Sequence, residues 1–298
     1  MITVNTKDLD YFMSLVELRK YTRVAATFSV SQPAVTQAVK RLEREFEVEL
    51  VTQDRAHQQT HITRAGQLLY KNAQKINKQL QLAHVEINDA KQERIKFGLP
   101  PIIGMLYFPQ VAGKLLKSGI LQQTDVVETG SGHLISALKK GEINIALLGS
   151  IKPLDFEEFT SIHLGKRPFN IIASPDNQIS KRSSVKFAEL KDQDFINLDS
   201  KYVHPLAFKA YSESAGVTPR VTYTPPDIAW VKGLVAANLG ISLIVKDVVN
   251  PTDRLVSIPL EDEVPERFNI SIAIRKDYPL TELEDQFVNL MSQIVLSD

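Results

Sequence analysis

The stretch "SQPAVTQAVKRLEREF", residues 31–46, places Gln32, Thr36, Gln37, Lys40 and Arg44 at spacings that one helix face would collect. Amides and hydroxyls at the start of a helix suit base edges in a major groove, and cations farther along suit phosphates. In the same stretch Val35, Val39, Leu42 and Phe46 recur at spacings of 4, 3 and 4 and are expected to face inward. Gln32, Pro33, Thr36, Gln37, Lys40 and Arg44 are left looking out. Taken alone, such a face is more often the solvated side of an ordinary helix, so its neighbours decide.

Other residues with chemical capability are scattered. His57 and His61 are four apart, the spacing of paired metal ligands on a helix, but nothing supplies a third ligand and no metal is predicted. Gly130-Ser131-Gly132 follows an apolar run as a dinucleotide loop would, yet Ile135 stands where the third glycine belongs. What survives is a helix N-terminus with Thr129 and Ser131 hydroxyls, which either cap the helix or receive a carboxylate or other small anion. There is no Gly-x-Ser-x-Gly elbow, P-loop, His-Glu-x-x-His sequence or cysteine nucleophile, so neither an enzyme nor a cofactor is predicted.

The elements that must position these residues begin with a helix from Lys7 to Leu18, whose Leu9, Phe12, Met13, Leu15 and Val16 form one face and whose cap is expected at Thr6. A short second helix should run from a Thr22 cap to Phe28. "FSVS" is then a turn, and the proline that follows opens the third helix: Ser31 is a good N-cap, and proline in a first turn gives up only a donor without an intrahelical partner. Two short helices, a tight turn and an exposed polar N-terminal cluster make a helix-turn-helix.

Here the chain resembles the LysR-type transcriptional regulators, through "YTRVA", "VSQPAVTQAVKRLE" and "HITRAG" in the same order and at close to the same spacing. The resemblance implies that Gln32, Pro33 and Thr36 reach bases while Thr22, Arg23, Gln37 and Lys40 lie near bases or phosphates. "LVTQDRAHQQTHIT" fills the place of the family's wing but is about two residues longer, with Gln53 where arginine is usual and Glu47 where glycine is frequent. Arg55, His57, Thr63 and Arg64 are its candidate phosphate contacts.

Past Gly66, Leu69, Ala73, Ile76, Leu80, Ala83 and Ile87 follow a heptad seam, predicted to pair two helices in a homodimer or homotetramer, the alternative being one face packed on the chain's own core. A dimer presents two reading helices to a roughly palindromic double-stranded operator. After Arg94 the short apolar runs "IKFGL", "TDVVET", "INIALLG", "FNIIAS", "DFINLD", "ISLIV" and "ISIAIRK" alternate with helical segments, which predicts an α/β fold with largely parallel sheets. By resemblance this region is a two-subdomain effector module like a periplasmic binding protein. Its cleft positions fall on Pro101, Ile102, Ile103, Thr129, Gly130, Ser131, Tyr202, Val203, His204 and Phe268, with "LPPIIGM" lacking the hydroxyl that many relatives carry there.

The expected architecture is therefore α/β with an N-terminal winged helix-turn-helix at 1–66, a linking and dimerisation helix at 67–93 and an effector domain at 94–298. Within that domain subdomain I takes 94–165 and 268–298, and subdomain II 166–267. The 298 residues carry no net charge, but residues 1–80 hold 12 Lys and Arg against 8 Asp and Glu, an excess in the direction nucleic acid requires. No apolar run is long enough to span a membrane, no basic start with an apolar core opens the chain, and cysteine is absent. These features predict a cytoplasmic protein.

The family reading implies an activator governed by a small organic anion, with RNA polymerase as a further partner. A solute-binding protein without a role on DNA would explain the last two hundred residues but not the first sixty-six. A metabolic α/β enzyme lacks its motifs.

Overall fold

The computed structural model describes residues 4–54, 59–89 and 94–296. The chain divides into two compact units, 1–91 and 92–298.

In the N-terminal unit, α1 (Thr6–Leu18), α2 (Tyr21–Thr27) and α3 (Gln32–Glu45) precede an antiparallel hairpin of β1 (Val51–Asp54) and β2 (Gln59–Ile62), and α4 (Arg64–Asp89) follows. Phe12, Leu15, Val24, Val35, Val39, Leu42, Leu50 and Ala73 form the core. The caps differ from those expected. Asn5, not Thr6, caps α1, its side-chain oxygen accepting from the Lys7 amide at 2.9 Å. Thr22 lies inside α2, whose N-cap is Lys20. Ser31 does hold the N-cap position of α3, but its hydroxyl makes no capping bond. The proline at the second helical position has no amide to offer it, and the Ala34 amide bonds to the Ser31 carbonyl instead. Phe46 is 44% exposed because α3 ends at it and the chain turns away through Glu47 at φ 51°.

The seam on α4 divides. Leu69 and Ala73 are taken up by the core of this unit, packed with residues of α1. Ile76, Leu80 and Ile87 remain 44%, 40% and 67% exposed. Heptad spacing specifies a face without specifying what covers it, and here α1 covers the first part of the stripe.

In the C-terminal unit, β3 (Ile95–Leu99), α5 (Pro101–Leu106), α6 (Pro109–Lys117), β4 (Thr124–Glu128), α7 (Ser131–Lys140), β5 (Ile145–Ser150) and β6 (Phe159–Arg167) build the first lobe. The second is made of β7 (Phe169–Ala173), β8 (Asp194–Ile196), α8 (His204–Ala215), β9 (Arg220–Tyr223), α9 (Ile228–Ala236), β10 (Ser242–Val245) and β11 (Val256–Pro259). The chain then returns to the first lobe as β12 (Phe268–Arg275) and α10 (Glu282–Met291). The first sheet has the order β4-β3-β5-β12-β6, and the second joins β10-β7-β11 to the pair β8-β9 through a bridge between Phe195 and Ile241.

Both sheets are mixed rather than largely parallel. β3, β4 and β5 run parallel, but β12 is antiparallel to β5 and to β6, and β7 is antiparallel to both its neighbours. The antiparallel pairs arise because the chain leaves the first sheet along β6 and comes back along β12. The parallel strands β3, β4 and β5 still deliver their carboxyl ends, and the loops at 100, 129–130 and 151–156, to one edge. Among the described residues no helix is long and apolar enough to cross a membrane.

One glycine shows how tightly the hairpin docks. A Cβ on Gly66 would lie 2.3 Å from the Leu50 carbonyl oxygen and 2.7 Å from Ile62 Cγ2. Gly66→Ala is therefore expected to lower the stability of the N-terminal unit by about 2 kcal/mol or more, read from chemical denaturation of the purified protein.

Candidate nucleic-acid interface and ligand cleft

On α3 the apolar period buries Val35, Ala38, Val39 and Leu42 against the other helices. The opposite face exposes Gln32, Pro33, Gln37, Lys40 and Arg44, while Thr36 is half-buried with its hydroxyl donating to the Gln32 carbonyl at 3.1 Å. Two charged residues of this helix are used structurally. Arg41 reaches the buried Asp8 of α1 through two bonds, Nε to Oδ2 at 2.7 Å and Nη2 to Oδ1 at 2.6 Å. Glu43 turns toward the hairpin and accepts the amides of Leu50 and Val51 at 3.0 and 3.2 Å. Lys40 and Arg44 face outward beside Gln37, on a surface that Glu43 and Glu47 border.

The remaining candidates on this unit separate by what their polar atoms do. Thr22 and Arg23 are exposed on α2, and Arg64 is exposed at the first position of α4. Thr63 is otherwise engaged: its hydroxyl lies 2.7 Å from the Glu49 carbonyl and 3.2 Å from that of Leu50, and it accepts the Gly66 amide at 3.0 Å. It clamps the hairpin to the start of α4, so its hydroxyl is not free for a phosphate. Arg55 and His57 lie outside the described residues.

In the C-terminal unit a cleft of about 380 Å³ opens between the lobes. The edge where β4 and β5 end supplies Ser131, Gly149 and the segment 150–156, and the loop before α8 supplies Ser200 to Val203. Ile135, Ile151, Leu154, Phe156 and Leu206 make its walls mainly apolar, and Lys152 and Lys201 add cations. Of the sequence candidates only Ser131, Tyr202 and Val203 line this space. Pro101 opens α5, Ile102 and Ile103 sink into the core, and Thr129 Oγ1 pairs with its own helix at His133 Nδ1, 3.4 Å away. Ser131 accepts the Gly149 amide at 2.9 Å, so its hydroxyl knits β5 to α7. Gly130 lies against the other lobe: a Cβ there would be 1.9 Å from the Lys201 carbonyl oxygen. The segment 150–156 was missed from sequence, although the rule that ligands meet the carboxyl ends of parallel strands applies to β5 as it does to β4.

His204 departs most from expectation. Its polar "DSKYVHP" surroundings suggest a surface loop, but it opens α8 fully buried, with neither ring nitrogen hydrogen-bonded. Phe169 and Phe268, the first residues of β7 and β12, lie with ring centroids 5.6 Å from the imidazole. Burial pushes its pKa down to about 3. Elsewhere between the lobes Arg167, at the end of β6, grips both oxygens of Asp247 at 2.6 and 2.5 Å, and the Tyr107 hydroxyl donates to the same carboxylate at 2.6 Å. Burial alone would raise the Asp247 carboxyl, but the bonds from Arg167 and Tyr107 hold it below the usual range.

Comparison with known proteins accords with this division. Residues 6–81 match the family model described as the bacterial regulatory helix-turn-helix protein, lysR family, and residues 88–294 match that of the LysR substrate binding domain. A malolactic fermentation system transcriptional activator from Lactococcus lactis is 30% identical over 98% of this chain and 100% of its own length. The dual regulator OxyR of Escherichia coli is 23% identical, over 95% of this chain and 93% of its own. Among solved structures, HinK from Pseudomonas aeruginosa, a LysR family transcriptional regulator, covers 98% of both chains with a TM-score of 0.56 at 22% identity. The effector binding domain of QuiR in complex with shikimate covers 67% of this chain and 95% of its own, with a TM-score of 0.59 at 16% identity.

The buried imidazole has a measurable signature. Its folded pKa is below the unfolded value of about 6.5, so the unfolded chain binds more protons and stability falls as pH drops from about 6.5 toward 3. His204→Phe, which cannot titrate, should lessen the loss between about pH 6.5 and 4.5 by roughly 2 to 3 kcal/mol in denaturant titrations. Equal losses in the two proteins would mean that the ring is not held neutral.

Proposed function

The chain belongs to the LysR family of bacterial transcriptional regulators, DNA-binding proteins with an effector-binding domain, and we propose that it is an activator that reads its operator with the outer face of α3. The observation that carries this reading is the chemistry of that face: Gln32, Pro33 and Gln37 exposed at the start of the helix, Thr36 beside them, Lys40 and Arg44 beyond. Thr22, Arg23 and Arg64 are assigned to phosphates, and Thr63 to holding the hairpin. The assignment as an activator follows the name of the Lactococcus relative.

Dimerisation is assigned to the exposed part of the α4 stripe, Ile76, Leu80 and Ile87, apolar side chains that their own unit covers only in part. Two α3 helices then meet two half-sites of a roughly palindromic operator. The effector is a small organic anion bound in the cleft. Lys152 and Lys201 and the uncapped first turn of α7 supply donors, while the apolar walls enclose the rest of the molecule. Several relatives are named hydrogen peroxide-inducible genes activators, but this chain has no cysteine and so no thiol to oxidise. The effector acts by binding one arrangement of the lobes better than another, because equal affinity for both shifts nothing. RNA polymerase is the downstream partner, and no catalytic step is assigned to the protein.

Gel shift against fragments of the source genome is expected to give salt-sensitive, sequence-preferring complexes, and their absence would end this reading. Thr36→Val should relax operator preference while leaving the oligomer intact. Leu80→Glu should give monomers in light scattering, and an unaltered oligomer would mean that the chains pair elsewhere.

A further inference from the structure

Resting on the reading that the outer face of α3 meets DNA, we propose that Asp8 withholds Arg41 from the phosphate backbone, so that the protein grips DNA of any sequence with one cation fewer than α3 carries beside its reading face. The second half of that helix has three cations, Lys40, Arg41 and Arg44. Arg41 comes four residues after Gln37 and three before Arg44, the spacings of neighbours on a helix surface. It therefore starts on the flank of the outer face, while Ala38 and Leu42 on either side of it in the chain turn into the core. A guanidinium on that flank has the length and the forked donors to meet a phosphate. Instead it is turned toward α1.

Both oxygens of Asp8 receive it, Nε donating to Oδ2 at 2.7 Å and Nη2 to Oδ1 at 2.6 Å. Forked pairing of this kind fixes the plane of the guanidinium as well as its place. The two partners are unequally housed: the side chain of Asp8 is 4% exposed, that of Arg41 49%. A carboxylate so deep has lost its hydration and depends on its cation, so drawing Arg41 off to a phosphate would strand the Asp8 charge away from water. Lys40 and Arg44 are exposed, and the one bond between them, from Arg44 Nε to the Lys40 carbonyl at 3.3 Å, cancels no charge. The pair also ties α3 to α1, but Val35, Val39 and Leu42 already do so, and an apolar contact would serve that end without ions.

Sequence-independent binding is built from phosphate contacts, and each adds about 0.9 to the steepness with which log affinity falls against log salt. A genome offers a vast excess of sites that are not the operator, and a surplus contact strengthens binding to all of them alike. Asp8 removes one such contact. Base-reading groups at the start of α3, Gln32, Pro33 and Gln37, then contribute a larger share of what holds the protein at its operator.

The experiment is fluorescence anisotropy of the full-length protein on a labelled duplex of arbitrary sequence, roughly 30 base pairs long, between about 50 and 200 mM salt. Asp8→Asn keeps the shape and removes the charge. It should bind more tightly than the wild type at the low end and steepen the salt slope by about one, so that affinity falls about three- to fourfold further across the range. Asp8→Asn combined with Arg41→Met should return to the wild-type slope. With both partners replaced this variant strands no charge, and it decides the matter even where the single variant folds poorly. Asp10→Asn removes the same charge from α1 without releasing a cation of α3 and should keep the wild-type slope, whereas Lys40→Met should make the slope shallower by about one. An Asp8→Asn slope no steeper than the wild type, an Asp10→Asn slope as steep as that of Asp8→Asn, or a double variant shallower than the wild type by about one overturns this proposal and leaves the α3 reading standing. Lys40→Met without effect on the slope overturns both.

Discussion

The backbone passes between the two sheets of the C-terminal unit twice, through Pro168 alone and then through residues 260–267, and the other features of that unit are arranged around these passages. A chain that leaves one sheet along β6 and re-enters it along β12 places the two strands side by side and antiparallel, which is how they pair. The first residues beyond the passages, Phe169 and Phe268, are brought together with ring centroids 6.1 Å apart. His204 is closed in by these two rings. Near the same passages, the Arg167 and Asp247 pair is anchored to Tyr107 of the first lobe. The lobes therefore meet over both apolar rings and a hydrogen-bonded ion pair. Removing Asp247 would leave the Arg167 guanidinium buried without its counter-charge, so the pair holds the lobes together at this point.

In the N-terminal unit the governing demand is that buried polar groups be satisfied. Asp8 is 3% exposed on α1 and takes both bonds from Arg41, so α3 is held to α1 by charge as well as by Val35, Val39 and Leu42. Glu43 and Thr63 perform similar duty on either side of the hairpin. Polar residues of this region thus fall into two groups, those consumed in holding the helices and those left free to meet DNA. Ser31 stands between them: it occupies a capping position, but Pro33 provides no amide for its hydroxyl to receive.

Strands buried on both faces announce themselves as continuous apolar runs, and for this reason the sequence marked the positions of β3, β5, β7, β8, β10 and β12, whereas β4 was marked by Val126 and Val127 although only its first residue is buried. β9 is exposed at every residue and β6 over much of its length, so neither has a pattern that stands out from a loop. The outer face of α3 was equally legible, because its partition into inner and outer residues follows from a helical period. The α4 stripe was legible as a stripe only. Its division at Ala73 depends on where α1 lies. The segment 150–156 carries no chemical motif, and it becomes part of the cleft through the common orientation of β4 and β5 relative to β3.

What the sequence by itself determined was periodicity and its interruptions: the amphipathic helices, the break before Gln32, the alternation that makes an α/β unit, the family motifs and the absence of any cysteine. These are local properties, set by neighbours within one or two helical turns. The tertiary structure decided which polar atoms are spent and which are free. Thr63 and Ser131 were candidates for ligand contact and are occupied by main chain from other elements, while His204, in a polar run, is stripped of water by Phe169 and Phe268. The physical reason is that hydrogen-bond satisfaction and desolvation are properties of a place, and the atoms that create the place arrive from distant parts of the chain.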